Sequence, residues 1–125
     1  MLLLDTSFLS ALAREEETRQ AGVAVNLLRI YPQRRTVVSI VAAGEYLEWT
    51  ASSIEGLVFL KRHTLVGLSL PIARRAALLQ RRLSRRLGEN DAWLAATALH
   101  HDFTLVSSDQ DFARVPRLAW INFKA

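Results

Sequence analysis

Met1-Leu2-Leu3-Leu4-Asp5-Thr6-Ser7 is the stretch from which the fold is read. Three leucines without alternation match a short buried strand, and the Asp-Thr-Ser that follows carries the acceptors of a helix start. The run is not a secretory leader: it stops after three leucines, no basic residue precedes it, and an acid ends it. Two further runs repeat the theme. Thr36-Val37-Val38 is β-branched and leads into Ser39, a natural N-cap, and Thr104-Leu105-Val106 reads as a third buried strand.

Between these runs the pattern is helical. A helix is expected over Glu15–Tyr31, with three glutamates in its first turn where the macrodipole favours them, closed by Pro32 and Gln33-Arg34-Arg35. Ile40 to about Trp49 reads as a second helix, and another begins near Ser52 or Ser53 and runs toward Arg62. Thr64 to Leu70 is β-rich but broken by Gly67, which fits an edge strand. Pro71 suits the first turn of a helix that continues to about Leu87 and stops at Gly88. The next helix starts at Glu89 or Asn90 and reaches His101, and Leu118–Ile121 supplies a fourth or fifth strand. Strands alternating with helices predict an α/β fold, a three-layer α/β/α sandwich around a mainly parallel sheet of four or five strands. No repeat, linker or low-complexity tract divides residues 1–125, so one domain is expected.

Composition limits the function. The 125 residues are half hydrophobic, enough for one filled core. The mean hydropathy of +0.12 is high for so small a chain, as a partner-covered apolar surface or a well-buried parallel sheet would make it. With no cysteine there is no disulfide and no thiolate metal site, and a cytoplasmic life is the simplest expectation. No run approaches the ~20 apolar residues of a membrane span. Sixteen Lys and Arg against twelve Asp and Glu give a formal charge of +4, which favours nucleic acid or an acidic protein as partner.

In open parallel sheets chemistry collects at the carboxyl ends of the strands. Asp5 ends the first strand, Asp109 lies just past Thr104–Val106, Glu45 sits two turns into the helix leaving the second strand, and Asp91 sits in the first turn of its helix. Taken singly, Asp91 is an ordinary helix-start acid, Asp109 a turn residue and Glu45 a solvated helix face. Asp5 is harder to dismiss, because it ends an apolar run. Together, four carboxylates in one pocket would repel unless a cation neutralised them. Oxygen ligands without His or Cys suit Mg²⁺ or Mn²⁺.

These residues also carry a resemblance. Leu3-Leu4-Asp5-Thr6-Ser7-Phe8-Leu9, Glu45, Glu89-Asn90-Asp91-Ala92-Trp93-Leu94-Ala95-Ala96 and Leu105-Val106-Ser107-Ser108-Asp109-Gln110-Asp111-Phe112 closely resemble the PIN-domain ribonucleases, above all the VapC toxins of prokaryotic toxin–antitoxin pairs. The resemblance covers essentially the whole chain, through Val115-Pro116-Arg117-Leu118. It implies an Mg²⁺- or Mn²⁺-dependent endoribonuclease, a homodimer, and a cognate antitoxin whose C-terminal segment lies across the active-site groove, the pair building a larger assembly. By position Asp5, Glu45, Asp91 and Asp109 match the family's metal-binding, catalytic acids. Thr6 adds a hydroxyl beside Asp5, Ser7 stands where a polar helper is usual, and Asp111 falls where a further acid is often seen. The resemblance leaves two other roles open: an RNA-processing nuclease without an antitoxin, and a metal-free module that only binds RNA or protein.

Arginines are the remaining signal. Arg74, Arg75, Arg81, Arg82, Arg85 and Arg86 are expected on one arc of the Pro71–Leu87 helix, opposite Ile72, Ala76, Leu79, Leu83 and Leu87. Such a face is either solvated, or contacts RNA phosphates or an acidic antitoxin. His63, His100 and His101 read as turn and helix-end residues.

Overall fold

The computed structural model describes Met1–Ala125. Five strands, β1 (Leu2–Leu4), β2 (Thr36–Ser39), β3 (Thr64–Val66), β4 (Thr104–Val106) and β5 (Trp120–Ile121), form one parallel sheet in the order β3-β2-β1-β4-β5. Six helices flank it: α1 (Thr6–Thr18), α2 (Val23–Ile30), α3 (Ile40–Trp49), α4 (Ser53–Leu60), α5 (Leu70–Arg82) and α6 (Glu89–His101). β1 is fully buried because it lies in the middle, between β2 and β4, which explains its unbroken leucines. β3 lies at an edge, as its mixed sequence predicts, and leaves Thr64 and Leu65 exposed.

One core runs through the sheet and its helices. α1 buries Phe8, Leu9 and Leu12 along one stripe, and Phe8 meets Phe123 edge-on at 5.0 Å between ring centres. α6 buries almost every residue from Ala92 to Ala98. Its alanines let α5 and β4 approach closely, so the helix that carries Asp91 is among the most enclosed parts of the molecule.

The helix expected over Glu15–Tyr31 is two helices. α1 begins at Thr6, ends at Thr18, and is capped by Arg19 in the left-handed region at φ 57°; α2 starts only at Val23. The three glutamates therefore close α1 instead of opening a helix. Glu15 still serves a helix N-terminus, but through space: its carboxylate accepts from the backbone N–H groups of Gly22 (2.7 Å), Val25 (2.9 Å) and Ala24 (3.0 Å) at the start of α2. Partial burial raises its carboxyl, but the three N–H donors outweigh that and leave its pKa below the ordinary value. A Cβ at position 22 would lie 2.9 Å from the Glu15 carboxylate, so any larger residue there would push that side chain from its capping position. Glu15→Ala is expected to cost about 1–2 kcal/mol by uncapping α2. A urea midpoint shift measures it, and an unshifted midpoint would show the cap to be idle.

The helix expected over Pro71–Leu87 ends earlier, at Arg82. Leu83 is extended, and the Gln80 side chain clamps the following segment: its Nε2 donates to the Leu87 carbonyl and its Oε1 accepts from the Leu87 N–H, both at 2.9 Å. Satisfying both backbone groups of Leu87 lets that leucine bury without continuing the helix.

Candidate functional site

The strand order reverses beside β1. From β1 the chain steps outward to β2 and β3, then returns to place β4 on β1's other side. A crevice opens at such a switch point, at the carboxyl ends of the two strands. Leu4 pairs with Val106, so Asp5 and Ser107 leave their strands side by side, and the Asp5 N–H donates to the Val106 carbonyl at 3.2 Å.

Asp5 has a local reason to be here. It is the N-cap of α1, and its Oδ1 accepts from the Phe8 N–H (2.9 Å) and the Ser7 hydroxyl (2.8 Å). Capping does not explain its burial, however: only 7% of Asp5 is exposed. Burial raises its pKa, the hydroxyls of Ser107 and Ser7 and the Phe8 N–H pull it down, and the charge of Asp109 pushes it up again.

The other acids share this field. Asp91, half-buried in the first turn of α6, has its pKa raised from 3.8 to about 6. Burial is the largest cause, followed by the charge of Asp109 and its capacity to accept Asp91's proton, then by the charges of Asp5 and Glu45. Glu45 extends from α3 and is held by the Thr6 hydroxyl, which donates to its Oε1 at 3.0 Å. Asp109 N-caps the short 3₁₀ turn Gln110–Arg114, accepting from the Asp111 N–H at 2.9 Å, while its own N–H donates to the Ser107 hydroxyl at 3.0 Å. The fold thus brings Asp109, Asp5 and Glu45 within electrostatic reach of Asp91. No three Asp, Glu or His side chains are already arranged around an ion's position. A donor set made only of carboxylates and hydroxyls fits a hard divalent ion.

Ser107 is the residue that sequence reasoning missed as a site residue. It is fully buried, its hydroxyl accepts from the Asp109 N–H at 3.0 Å and lowers the Asp5 pKa, and its carbonyl accepts from Trp120 Nε1 at 3.1 Å. Its only sequence signal is a hydroxyl directly after a buried strand, opposite an acid after another.

Asp111 stands apart from the four. Its Oδ1 accepts from Arg85 Nη2 at 3.4 Å and lies 3.6 Å from Arg114 Nε, so two guanidinium groups take up its charge. The arginines expected on one helical arc are divided, because Arg85 and Arg86 lie beyond the end of α5. Arg74, Arg75 and Arg82 join Arg117 around a cleft floored by Leu78 and Leu99, whereas Arg81 and Arg86 line a second hollow beside Glu89 and Trp93. His100 and His101 sit in the last turn of α6, and His63 lies beside Thr36 at the start of β2, so no histidine joins the acids.

The sequence matches the PIN domain family over residues 2–118. Among solved structures the fold is similar to a Klebsiella pneumoniae toxin–antitoxin complex at 22% identity, covering 98% of both chains with a TM-score of 0.79. It is similar to Rickettsia felis VapBC2 bound to a promoter DNA fragment at 18% identity, covering 96% of each chain, also with a TM-score of 0.79. It is also similar to Mycobacterium tuberculosis VapC20, a sarcin–ricin-loop-cleaving toxin, at 16% identity, covering 90% of this chain and 93% of that one with a TM-score of 0.65. No curated protein matches the chain. At these identities the structural likeness speaks for the fold.

Proposed function

The chain belongs to the PIN domain family, and from that premise we propose that residues 1–125 form one domain acting as a divalent-metal-dependent endoribonuclease, the toxin of a VapBC-type pair. The observation that carries this reading is Asp91: its carboxyl is held near pKa 6 by burial and by Asp109, Asp5 and Glu45 together, at the switch point of the sheet. Such a concentration of negative charge disfavours the folded protein unless it serves a cation.

Asp5, Glu45, Asp91 and Asp109 would hold Mg²⁺ or Mn²⁺. When bound, the ion supplies a water of lowered pKa and polarises the scissile phosphate. The chain's own hydroxyls orient its acids: Ser7 and Ser107 act on Asp5, and Thr6 acts on Glu45. Each fixed hydrogen bond limits the rotamers of a ligand before the ion arrives, as outer-shell partners do in metal sites. Arg81 and Arg86 near the start of α6, Arg85 beside Asp111, and Arg74 and Arg82 farther along offer guanidinium groups to the RNA backbone or to an acidic antitoxin.

A partner is supported by a separate observation. On α4, Ile54 and Val58 are 75% and 63% exposed, with Leu57 beside them on the same stripe. Trp49, 82% exposed, lines a neighbouring groove between α1, α3 and α4. Apolar surface of this extent on so small a chain fits coverage by an antitoxin segment or a second copy. No helix is long and apolar enough to cross a membrane.

The test is cleavage of structured and single-stranded RNA by purified protein, with Mn²⁺ and with EDTA. Cutting is expected with Mn²⁺ alone. Persistence in EDTA overturns the metal reading, whereas RNA binding without cutting under either condition favours a non-catalytic module.

A further inference from the structure

The edge of the sheet opposite the acids carries an arrangement that metal-dependent cleavage does not use. There the first residues of β2 and β3 and the turn after α4 line an open depression of about 440 Å³ whose seven lining residues are all polar, with no acid among them. Four are cations: Arg34 and Arg35 lead into β2, while Lys61 and Arg62 follow α4. Two of these have other ties. Arg34 Nη2 donates to the Thr104 hydroxyl at 2.9 Å, and Arg62 Nη2 is gripped by both oxygens of Glu16 at 2.8 Å. Arg35 and Lys61 form no ion pair.

His63 gives the second, independent observation. Its Nδ1 is 2.6 Å from the Thr36 hydroxyl, yet its Nε2 is buried with no hydrogen-bond partner. With the hydroxyl donating to Nδ1, the ring proton sits on Nε2 and has nothing to accept it. Burial and then the Arg62 charge lower the His63 pKa, against the opposing pull of Glu16, so the ring stays neutral near pH 7. Clustered cations repel, and an oxyanion among them relieves that repulsion.

We propose that this depression binds a phosphate group, at a site separate from the acidic pocket and independent of any metal there. The donors suit phosphate: guanidinium and ammonium groups for its charge, and the Thr64 hydroxyl for a remaining oxygen. The phosphate belongs either to a nucleic-acid backbone or to a free phosphate or nucleotide.

The test uses the full chain in EDTA, which silences the acidic pocket, so its result stands whether or not the protein is a nuclease. Amide and ring resonances of Thr36, His63 and Thr64 are followed by NMR during titration with inorganic phosphate and, separately, with a ten-residue oligothymidylate. Saturable shifts with phosphate alone identify a small-anion pocket, and shifts only with the oligonucleotide identify a backbone site; either outcome supports the proposal. Arg35→Gln with Lys61→Gln is expected to weaken binding at least ten-fold. Both side chains are exposed, so the fold tolerates their loss. Arg29→Gln with Lys124→Gln removes the same charge elsewhere and is expected to change binding less than two-fold. Equal weakening by both pairs, shifts without saturation, or the same shifts from chloride at matched ionic strength overturn the proposal.

Discussion

Asp5→Asn is expected to slow RNA cleavage about 10³-fold or more, on the order of 4 kcal/mol of transition-state stabilisation, while leaving the protein folded. The substitution removes the charge an ion needs but keeps an amide oxygen where Oδ1 stands, so the Phe8 N–H and the Ser7 hydroxyl retain their acceptor and α1 keeps its cap. Removing a charge whose burial outweighs its hydrogen bonds and raises its pKa should also raise the thermal midpoint. Falling activity with rising stability marks a functional acid, because an Asp that served only as an N-cap would lose neither activity nor stability on exchange for Asn. Single-turnover cleavage and thermal melting measure the two effects. Activity above a tenth of the unaltered rate would remove Asp5 from the site.

The second large effect couples pH to metal. The Asp91 carboxyl titrates near 6 in the folded protein against 3.8 for the free group, so the folded state holds a proton that the unfolded chain has released. This contribution to stability is fully present below about pH 3.8 and is lost as pH rises to about 6. A divalent ion is expected to reverse the trend, since it would bind the ionised site and compete with the proton. At 100 times its Kd, Mn²⁺ adds about 2.7 kcal/mol, which for a chain of this size is about 10 °C in Tm. The full shift is expected at pH 7.5 and less than a third of it at pH 5. Asp91→Asn should flatten the metal-free pH profile and shrink the Mn²⁺ shift together. Equal Mn²⁺ shifts at both pH values would place the ion elsewhere.

What could be read from the sequence follows the range of the forces involved. Leu2–Leu4 and Thr104–Val106 were legible because burial on both faces leaves an unbroken apolar run, and the acids after them stand out against it. Ser39 was legible as a cap because capping is local, its hydroxyl accepting from the Val41 N–H two residues on. The break between α1 and α2 was not legible. Arg19 takes a left-handed conformation with no glycine to announce it, and the true cap of α2 reaches forward seven to ten residues from Glu15. The early end of α5 was hidden in the same way, since periodicity carries Leu83 and Leu87 onto the helical face while the Gln80 clamp removes them from the helix. Ser107 escaped because its importance arises only where β1 and β4 lie together. Glu45 and Asp91 lie on helices where local pattern favours an ordinary surface acid, and the nearness of Asp91 to Asp109, Asp5 and Glu45 is a property of the assembled sheet.

The seam between β1 and β4 has a consequence for biosynthesis. β1 pairs with β2 early, through Leu4 and Val38, but its other neighbour ends at Val106 and Asp109 follows later still. Contacts so distant along the chain close late, after the loop entropy between them has been overcome. A chain still emerging from the ribosome has Asp5 and Glu45 in hand, yet neither the strand that walls the other side of the crevice nor the acid beyond it. The acidic crevice is therefore completed late: a nascent chain lacks its second wall, and Asp109 beyond it, until β4 has been made and has paired with β1.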